Sequence, residues 1–322
     1  MQKIVSVQED TIEEAAHLIR HGQIVAFPTE TVYGLGANAL DSQAVAKIFK
    51  AKNRPQFNPL IVHVANVQMV LDLVQMDERA KAIAQEFWPG PLTLILPQKK
   101  DNQISDLVCA GLKTLAVRIP SHPVAQALLL RSGVPIAAPS ANNSGEPSST
   151  SPKHVAESLG RRAPFILADG ISKVGLESTV LDLSENDAVI LRPGAITAED
   201  LKPFLGEVAY DFVRRDHPKS PGQLLKHYAP SVPVRLEAVD IQPNEALLAF
   251  GSTKFMGMQG GGSAANLPES AFRNLSENGD LTEAATNLFA MLRDLDRPDH
   301  KSIAVMSVPN QGLGIAINDR LT

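Results

Sequence analysis

Short apolar runs alternate with polar turns and amphipathic stretches along most of the chain. The most informative segment is residues 24–64. Ile24–Phe27 is an apolar run that reads as a buried strand, and Pro28 ends it. The polar turn Thr29-Glu30-Thr31 follows, then Tyr33-Gly34-Leu35-Gly36, where two glycines allow the backbone to approach a ligand. Asp41 is placed to cap a helix whose apolar face is Ala44, Val45, Ile48 and Phe49. Pro55 is expected to stop that helix, because the residue before a proline is pushed out of the α region. On this reading Lys52 and Arg54 leave on extended backbone, two apart and on one side. A second apolar run, Leu60–Val64, returns as a strand that carries His63.

The rest of the chain continues the alternation. Thr11 with Glu14 has capping-box spacing, and the helix it opens carries Ile12, Ala15, Ala16 and Ile19 on one face and ends at Gly22. Helices are predicted over Asp77–Phe87, His122–Ser132 and Ala198–Leu205. Strands are predicted over Leu92–Leu96, Thr114–Ile119, Pro135–Ala138, Phe165–Ala168, Thr179–Leu183 and Val189–Leu191. Several neighbours are joined too tightly for right-handed crossovers. The pattern therefore predicts an α/β fold with a twisted mixed sheet and flanking helices. Residues 206–232 lose periodicity and read as a linker. Beyond it, strands at Ala246–Phe250 and Ile303–Ser307, a helix over Leu281–Leu295 and a glycine-rich loop at Met256–Asn266 predict a smaller second α/β domain. The expected division is 1–205, 206–232 and 233–322.

Composition narrows the classes. The chain has 322 residues, 44% hydrophobic and 20% charged, which suits a two-domain globular enzyme. A net charge of −5 argues against a protein that grips nucleic acid over its whole surface, though it allows one basic cleft. A single cysteine, Cys109, rules out an internal disulfide and any multi-cysteine zinc site. No apolar segment approaches the length that spans a bilayer, and the first residues do not read as a signal peptide. A cytoplasmic location is expected.

Two nucleotide motifs nearly form and fail. Gly34-x-Gly36-x-x-Ala39 has dinucleotide-fingerprint spacing, but its strand ends at Pro28, its helix waits for Asp41, and no acid stands about twenty residues on. Gly170–Gly175 has P-loop glycine spacing, but Leu176 and Glu177 occupy the Lys and Ser/Thr positions. Arg118 lies inside the apolar strand LAVRIP, where a guanidinium needs an anion. A ligand and an internal carboxylate such as Glu177 or Asp182 satisfy that need equally well. Residues 137–148, AAPSANNSGEPS, run from a strand end into a loop of hydroxyls, amides and backbone N–H groups able to cradle phosphates. Glu177-Ser178-Thr179 opens one strand, and Leu191-Arg192-Pro193-Gly194 ends another. No nucleophile–base pair or metal-ligand spacing accompanies them. The inventory is cations, hydroxyls and amides, which suits phosphoryl or nucleotidyl transfer, where positioning and charge stabilisation dominate.

In order, PTETVYGLG, KAKNRPQFNPLIVHV, WPGPLTLIL, LAVRIPSHP, APSANNSGEPSST, ESTVLDL and ILRPG occupy residues 28–194. Together they closely resemble the YrdC-like threonylcarbamoyl-AMP synthases, and SPGQLLKHYAP with the additional domain resembles their long, two-domain form. The linker departs slightly, reading Gln223-Leu224-Leu225-Lys226 where relatives often have Met-x-x-(Arg/Lys). The resemblance implies a YrdC-like first domain, a Rossmann-like second domain, and a synthase joining L-threonine, bicarbonate and ATP into threonylcarbamoyl-AMP with release of pyrophosphate. The product serves modification of the adenosine beside the tRNA anticodon. By motif, Thr31, His63, Arg118, the Ala138 backbone and Ser178 would hold threonine. Arg54, Asn58, Thr114, Ser140, Asn142, Ser148, Arg192 and Tyr228 would hold ATP, with Lys52 and Arg54 as the catalytic cations. Mg²⁺ would ride mainly on the ATP phosphates, with no dedicated protein metal site. The linker with Tyr228 would fold over the nucleotide as a lid. Partners would be downstream tRNA threonylcarbamoyl-transferase proteins, with room for a weak tRNA contact and none for a membrane.

Two rivals are weighed against this. A module that binds tRNA or other RNA without chemistry would use Lys47, Lys50, Lys52 and Arg54 as a basic face. A carbamoyl transferase of the hydrogenase-maturation type contains a related domain but carries cysteine-rich zinc fingers, which one cysteine excludes.

Overall fold

The computed structural model describes residues 2–211, 228–254, 256–258 and 264–322. β1 (Lys3–Ser6) leads into α1 (Glu9–Arg20), whose buried face is the expected Ile12, Ala15, Ala16 and Ile19. The cap differs from expectation: Gln8 is the N-cap, and its N–H donates to Thr11 Oγ1 at 2.9 Å. The threonine thus serves the cap from inside the first turn.

β2 (Val25–Phe27) pairs antiparallel with β3 (Gly34–Asn38), so the glycine-bearing stretch expected to approach a ligand is a strand. A Cβ on Gly36 would lie 2.7 Å from Ile136 Cγ2 and 2.8 Å from Phe27 Cε1. That glycine makes room for core side chains, not for a ligand.

α2 (Ser42–Lys52) is capped by Asp41, which accepts from the N–H groups of Gln43 at 2.8 Å and Ala44 at 3.2 Å. The helix does not wait for Pro55. Asn53 adopts a left-handed φ of 52° and closes it, as asparagine can at little expense. Lys52 is therefore the last helical residue and Arg54 follows the reversal, in place of the expected extended pair.

β4 (Ile61–His63), α3 (Val67–Leu73) and α4 (Glu78–Phe87) come next, then β5 (Leu92–Pro97), α5 (Asp106–Cys109) and β6 (Thr114–Arg118). α6 (Pro123–Ser132), capped by His122 and closed by Gly133, leads to β7 (Ile136–Ala137) and α7 (Pro152–Leu159). β8 (Phe165–Ala168), β9 (Thr179–Asp182), β10 (Val189–Arg192), α8 (Ala198–Leu205) and β11 (Ala209–Tyr210) complete the first domain's elements. Among the described residues these strands form one 11-stranded mixed sheet, ordered β1-β8-β2-β3-β7-β4-β6-β5-β9-β10-β11. β11 extends this sheet from within the stretch read as linker, and residues 212–227 of that stretch lie outside the described residues.

The second domain contains β12 (Val234–Arg235), β13 (Asp240–Ile241), β14 (Glu245–Ala249), β15 (Gly257–Met258) and β16 (Phe272–Asn274). α9 (Leu281–Leu295), β17 (Ser302–Val305) and α10 (Leu313–Leu321) follow. The order β12-β17-β14-β16, parallel at each pairing, is the Rossmann-like sheet expected. Of the glycine-rich loop, residues 259–263 lie outside the described residues, and a short 3₁₀ turn spans Ala264–Asn266. α9 buries Ala285, Leu288, Phe289 and Leu292, the face its periodicity assigns.

The domains meet closely. Gly175 packs onto the α9 backbone, so that a Cβ there would lie 2.4 Å from Thr286 Cα. Thr286 Oγ1 donates to the Lys173 carbonyl at 2.8 Å, and the Ala229 N–H donates to the Gly145 carbonyl at 2.8 Å.

Candidate active site

The parallel register of β4 and β6 sets His63 beside Arg118 at the carboxyl ends of both strands. The loop after β2, the loop after β7 and the starts and ends of β9 and β10 converge there. The cavity is lined by Thr31, Arg54, His63, Arg118, Ala138, Ser140, Ser178, Arg192 and Tyr228 of the expected set. Thr29, Val32, Gly34, Ile61, Pro139 and Glu177 complete its walls. About 40 Å³ is free for water between these side chains, and the cavity opens to solvent.

Four cations gather here, each almost without solvent: Lys52 at 1%, Arg54 at 7%, Arg118 at 3% and Arg192 at 5% exposure. Lys52 stands behind the cavity and donates from Nζ to the carbonyl oxygens of Ser140, at 2.5 Å, and of Asn142. Arg54 donates to the carbonyls of Asn58, at 3.3 Å, and Pro59, at 2.9 Å. Arg192 reaches Ser178 O at 2.9 Å and Ser178 Oγ at 3.1 Å, and Ser178 Oγ also meets Thr93 Oγ1 at 2.7 Å. Burial, then the neighbouring Arg54 charge, holds the Lys52 ammonium well below the ordinary lysine range. Burial also pushes Arg54 down to about 9 and lowers Arg192. Concentrating positive charge out of water is unfavourable unless an anion offsets it.

Arg118 pairs with an internal carboxylate, though not one the sequence reading named. Its Nη2 is 2.7 Å from Glu30 Oε1, and its Nη1 donates to Thr31 Oγ1 at 2.9 Å. Glu177 and Asp182, the carboxylates expected from sequence, are not its partners. Asp182 is aligned with Ile95 further along the sheet, and Glu177 pairs with Arg320 at 2.9 Å. Burial alone would raise the Glu30 carboxyl, but Arg118 outweighs it and lowers the value. Burial, with the Arg118 charge, pushes the His63 imidazole down to about 3, so it is neutral at ordinary pH. Its Nδ1 and both polar atoms of the Asn58 side chain are buried without a hydrogen-bond partner among the described residues. Such groups are what a polar ligand would satisfy.

Other expected residues fall differently. Ser148 Oγ donates to Glu177 Oε1, and Asn142 Nδ2 donates to the Glu146 carbonyl at 2.9 Å. Thr114 opens β6, four residues before Arg118 and so about 13 Å along the strand. It does not line the cavity. Part of the backbone-amide cradle the sequence suggested in the loop after β7 is engaged within the fold. N–H groups of Ala138, Ala141, Asn143, Ser144 and Glu146 are taken by Ile61 O, Tyr33 O, Ser158 Oγ, Lys52 O and Asn143 O. A buried backbone must pair its own polar groups first. Of the basic face imagined for RNA, Lys52 and Arg54 point inward and Lys47 Nζ is bonded to the Gly22 carbonyl. Sequence reasoning passed over Glu30, flanked by two threonines at a strand end, and Arg320, which near a chain end reads as solvated.

The fold and cavity define an α/β enzyme built for small anionic substrates. The chain belongs to the Sua5/YciO/YrdC family, whose model, described as telomere recombination, matches residues 17–194. A second model, described as the C-terminal domain of threonylcarbamoyl-AMP synthase, matches residues 196–322. It is 41% identical to the threonylcarbamoyl-AMP synthase of Bacillus subtilis over 98% of this chain and 93% of that protein. It is 42% identical to the Pyrococcus abyssi protein of the same name, over 98% and 94%. The crystal structure of P. abyssi Sua5 complexed with L-threonine superposes with a TM-score of 0.87, at 38% identity, over 99% of this chain and 96% of that one.

Proposed function

We propose that the chain synthesises L-threonylcarbamoyl-AMP from L-threonine, bicarbonate and ATP, releasing pyrophosphate and water, for modification of the adenosine beside the tRNA anticodon. The observation that carries this reading is the set of four buried cations around one cavity, in a chain whose full-length relatives bear the synthase name. Threonine and ATP are its substrates. The finer assignments are ours: bicarbonate as co-substrate, transfer of the product to downstream threonylcarbamoyl-transferase proteins, a weak contact with tRNA, and a cytoplasmic setting. No helix among the described residues is long and apolar enough to cross a membrane.

The threonine carboxylate would take Arg118 from Glu30, with Thr31 and Ser178 orienting the amino acid and the neutral His63 accepting or donating one hydrogen bond. A carbamate formed from bicarbonate on the threonine amine then attacks the α-phosphorus. The bond to the β-phosphate bridging oxygen breaks, and pyrophosphate leaves with that electron pair. Both reactants are anionic, so Lys52, Arg54 and Arg192 would offset their repulsion and stabilise the transferring group. At about 3, His63 is a poor base for the ammonium proton, and positioning suits it better. Glu177, which lines the cavity, and Glu30, paired with Arg118 beside it, are each engaged by an arginine. Mg²⁺ would then be held mainly by the ATP phosphates. Residues 1–205 would carry the chemistry. Tyr228, from the linker 206–232, would cover the nucleotide as part of a lid, with 233–322 supporting it.

Pyrophosphate release by pure protein, with threonine and bicarbonate each omitted in turn, tests the reading. Release that needs both supports it. Release needing neither, or none under any condition, overturns it.

A further inference from the structure

Through Arg320 the C-terminal domain touches Glu177, a wall of the cavity. Arg320, on α10, is fully buried, and its Nε donates to Glu177 Oε2 at 2.9 Å across the domain boundary. Its Nη1 meets Asp319 Oδ2 at 2.7 Å, which fixes the guanidinium from its own helix. The same guanidinium lies 5.1 Å from the centre of the Tyr228 ring. On another side Tyr228 packs against Phe289 of α9, with ring centres 5.6 Å apart. Tyr228 itself holds a left-handed φ of 59°, a conformation that persists only where its surroundings enforce it.

Glu177 is the reason such a restraint is needed. It is a cavity-lining carboxylate in a site built for anions, and it lies within the electrostatic reach of Lys52 and Arg192. Left loose, it would turn to those cations and occupy the charge that ATP must use. In the structure one of its oxygens accepts from Ser148 Oγ and the other from Arg320 Nε.

We propose that Arg320 is a positioning residue for nucleotide binding: it holds the Glu177 carboxylate away from Lys52 and Arg192 and seats the Tyr228 wall. This rests on the synthase reading of the cavity. The role assigns the second domain a direct part in the site, through a residue in the last helix.

A double-mutant cycle with Glu177→Gln tests it by pyrophosphate release in the full-length protein. Arg320→Met is expected to raise the KM for ATP by about tenfold or more while moving the KM for threonine by less than about threefold. In the Glu177→Gln background the same substitution is expected to have at most about a third of that effect, because the acid it restrains no longer competes. A merely structural role would raise both KM values and would not be relieved by Glu177→Gln. An unchanged KM for ATP, or a loss that persists undiminished in the Glu177→Gln background, overturns the proposal. If Arg320→Met fails to melt cooperatively, Arg320→Lys carries the test. It keeps a charge but lacks the fork that spans Glu177 and Asp319, so a rise of about threefold, relieved by Glu177→Gln, is expected. A wild-type KM for ATP in Arg320→Lys then overturns the proposal. Absence of activity in the wild-type protein would instead count against the synthase reading, so the two failures are distinguishable.

Discussion

Lys52 Nζ donates to the Ser140 carbonyl at 2.5 Å, joining the end of α2 to the loop after β7 across 88 residues of sequence. Asn53 makes this geometry. By turning the chain left-handed one residue later, it leaves Lys52 on the helix and directed inward, while Arg54 enters the cavity from the other side of the reversal. The two cations thus reach one site from opposite sides of a helix end.

This placement gives Lys52 a pH signature. On the proposed function its ammonium meets phosphate, so activity is expected below its folded-state pKa and is lost as pH rises through it. Burial lowers that pKa from the ordinary 10.5, which brings the alkaline loss to lower pH than an ordinary lysine would give. Lys52→Arg should move the alkaline limb upward, and Lys52→Ala should lower kcat/KM by about 10²-fold or more. Stability runs the other way. The folded chain binds fewer protons here than the unfolded one, so this residue's contribution grows as pH rises towards 10.5. Rate profiles and thermal melts over the same pH range check both signs, and an unshifted alkaline limb in Lys52→Arg would refute the assignment.

Arg118 and Glu30 form a buried pair whose two roles can be separated. Arg118→Gln is expected to raise the KM for threonine by about 10²-fold and to destabilise the fold by about 3 kcal/mol, because Glu30 is left buried without its partner. Adding Glu30→Gln should restore most of the stability and none of the threonine affinity. Calorimetric melts with threonine titrations distinguish these outcomes. Recovery of affinity in the double variant would show that Arg118 does not hold the substrate carboxylate.

Gly175 is expected to be the least replaceable glycine at the domain boundary. A Cβ there would lie 2.4 Å from Thr286 Cα and 2.6 Å from the carbonyl oxygens of Ala285 and Thr286, and its φ is +76°. Gly175→Ala should destabilise the protein by about 2–4 kcal/mol and reduce turnover by loosening α9 from the site. Gly111, at φ +78° with open space around it, is the control. Gly111→Ala should lose only about 1 kcal/mol, with activity intact. Equal effects at the two positions would show that backbone strain, and not domain contact, decides the outcome.

Much of the fold was legible because it depends on local periodicity. α8 and α9 stand at the residues their apolar spacing assigned, and β8 does as well. Asp41 caps as expected, and Gly133 closes α6 where the sequence placed it. Elements that went unread have weaker signals. β1 is mostly exposed at the sheet edge, and α3 and α7 are short. β3 was hidden by its own glycines, whose purpose is visible only when Phe27 and Ile136 are seen filling the space beside them.

The sequence by itself determined the inventory of the site: the cations Lys52, Arg54, Arg118 and Arg192, the hydroxyls of Thr31, Ser140 and Ser178, the linker tyrosine, and the order of motifs that carries the family resemblance. These are properties of residue type and spacing, which survive without coordinates. Only the tertiary structure decided which charge faces which. Arg118 meets Glu30 because parallel pairing of β4 and β6 delivers it to the loop after β2. Glu177 meets Arg320 because α10 docks beside the site 143 residues later in the chain. Pair identity depends on distances between strand ends and between domains, and packing sets those distances where no local pattern can.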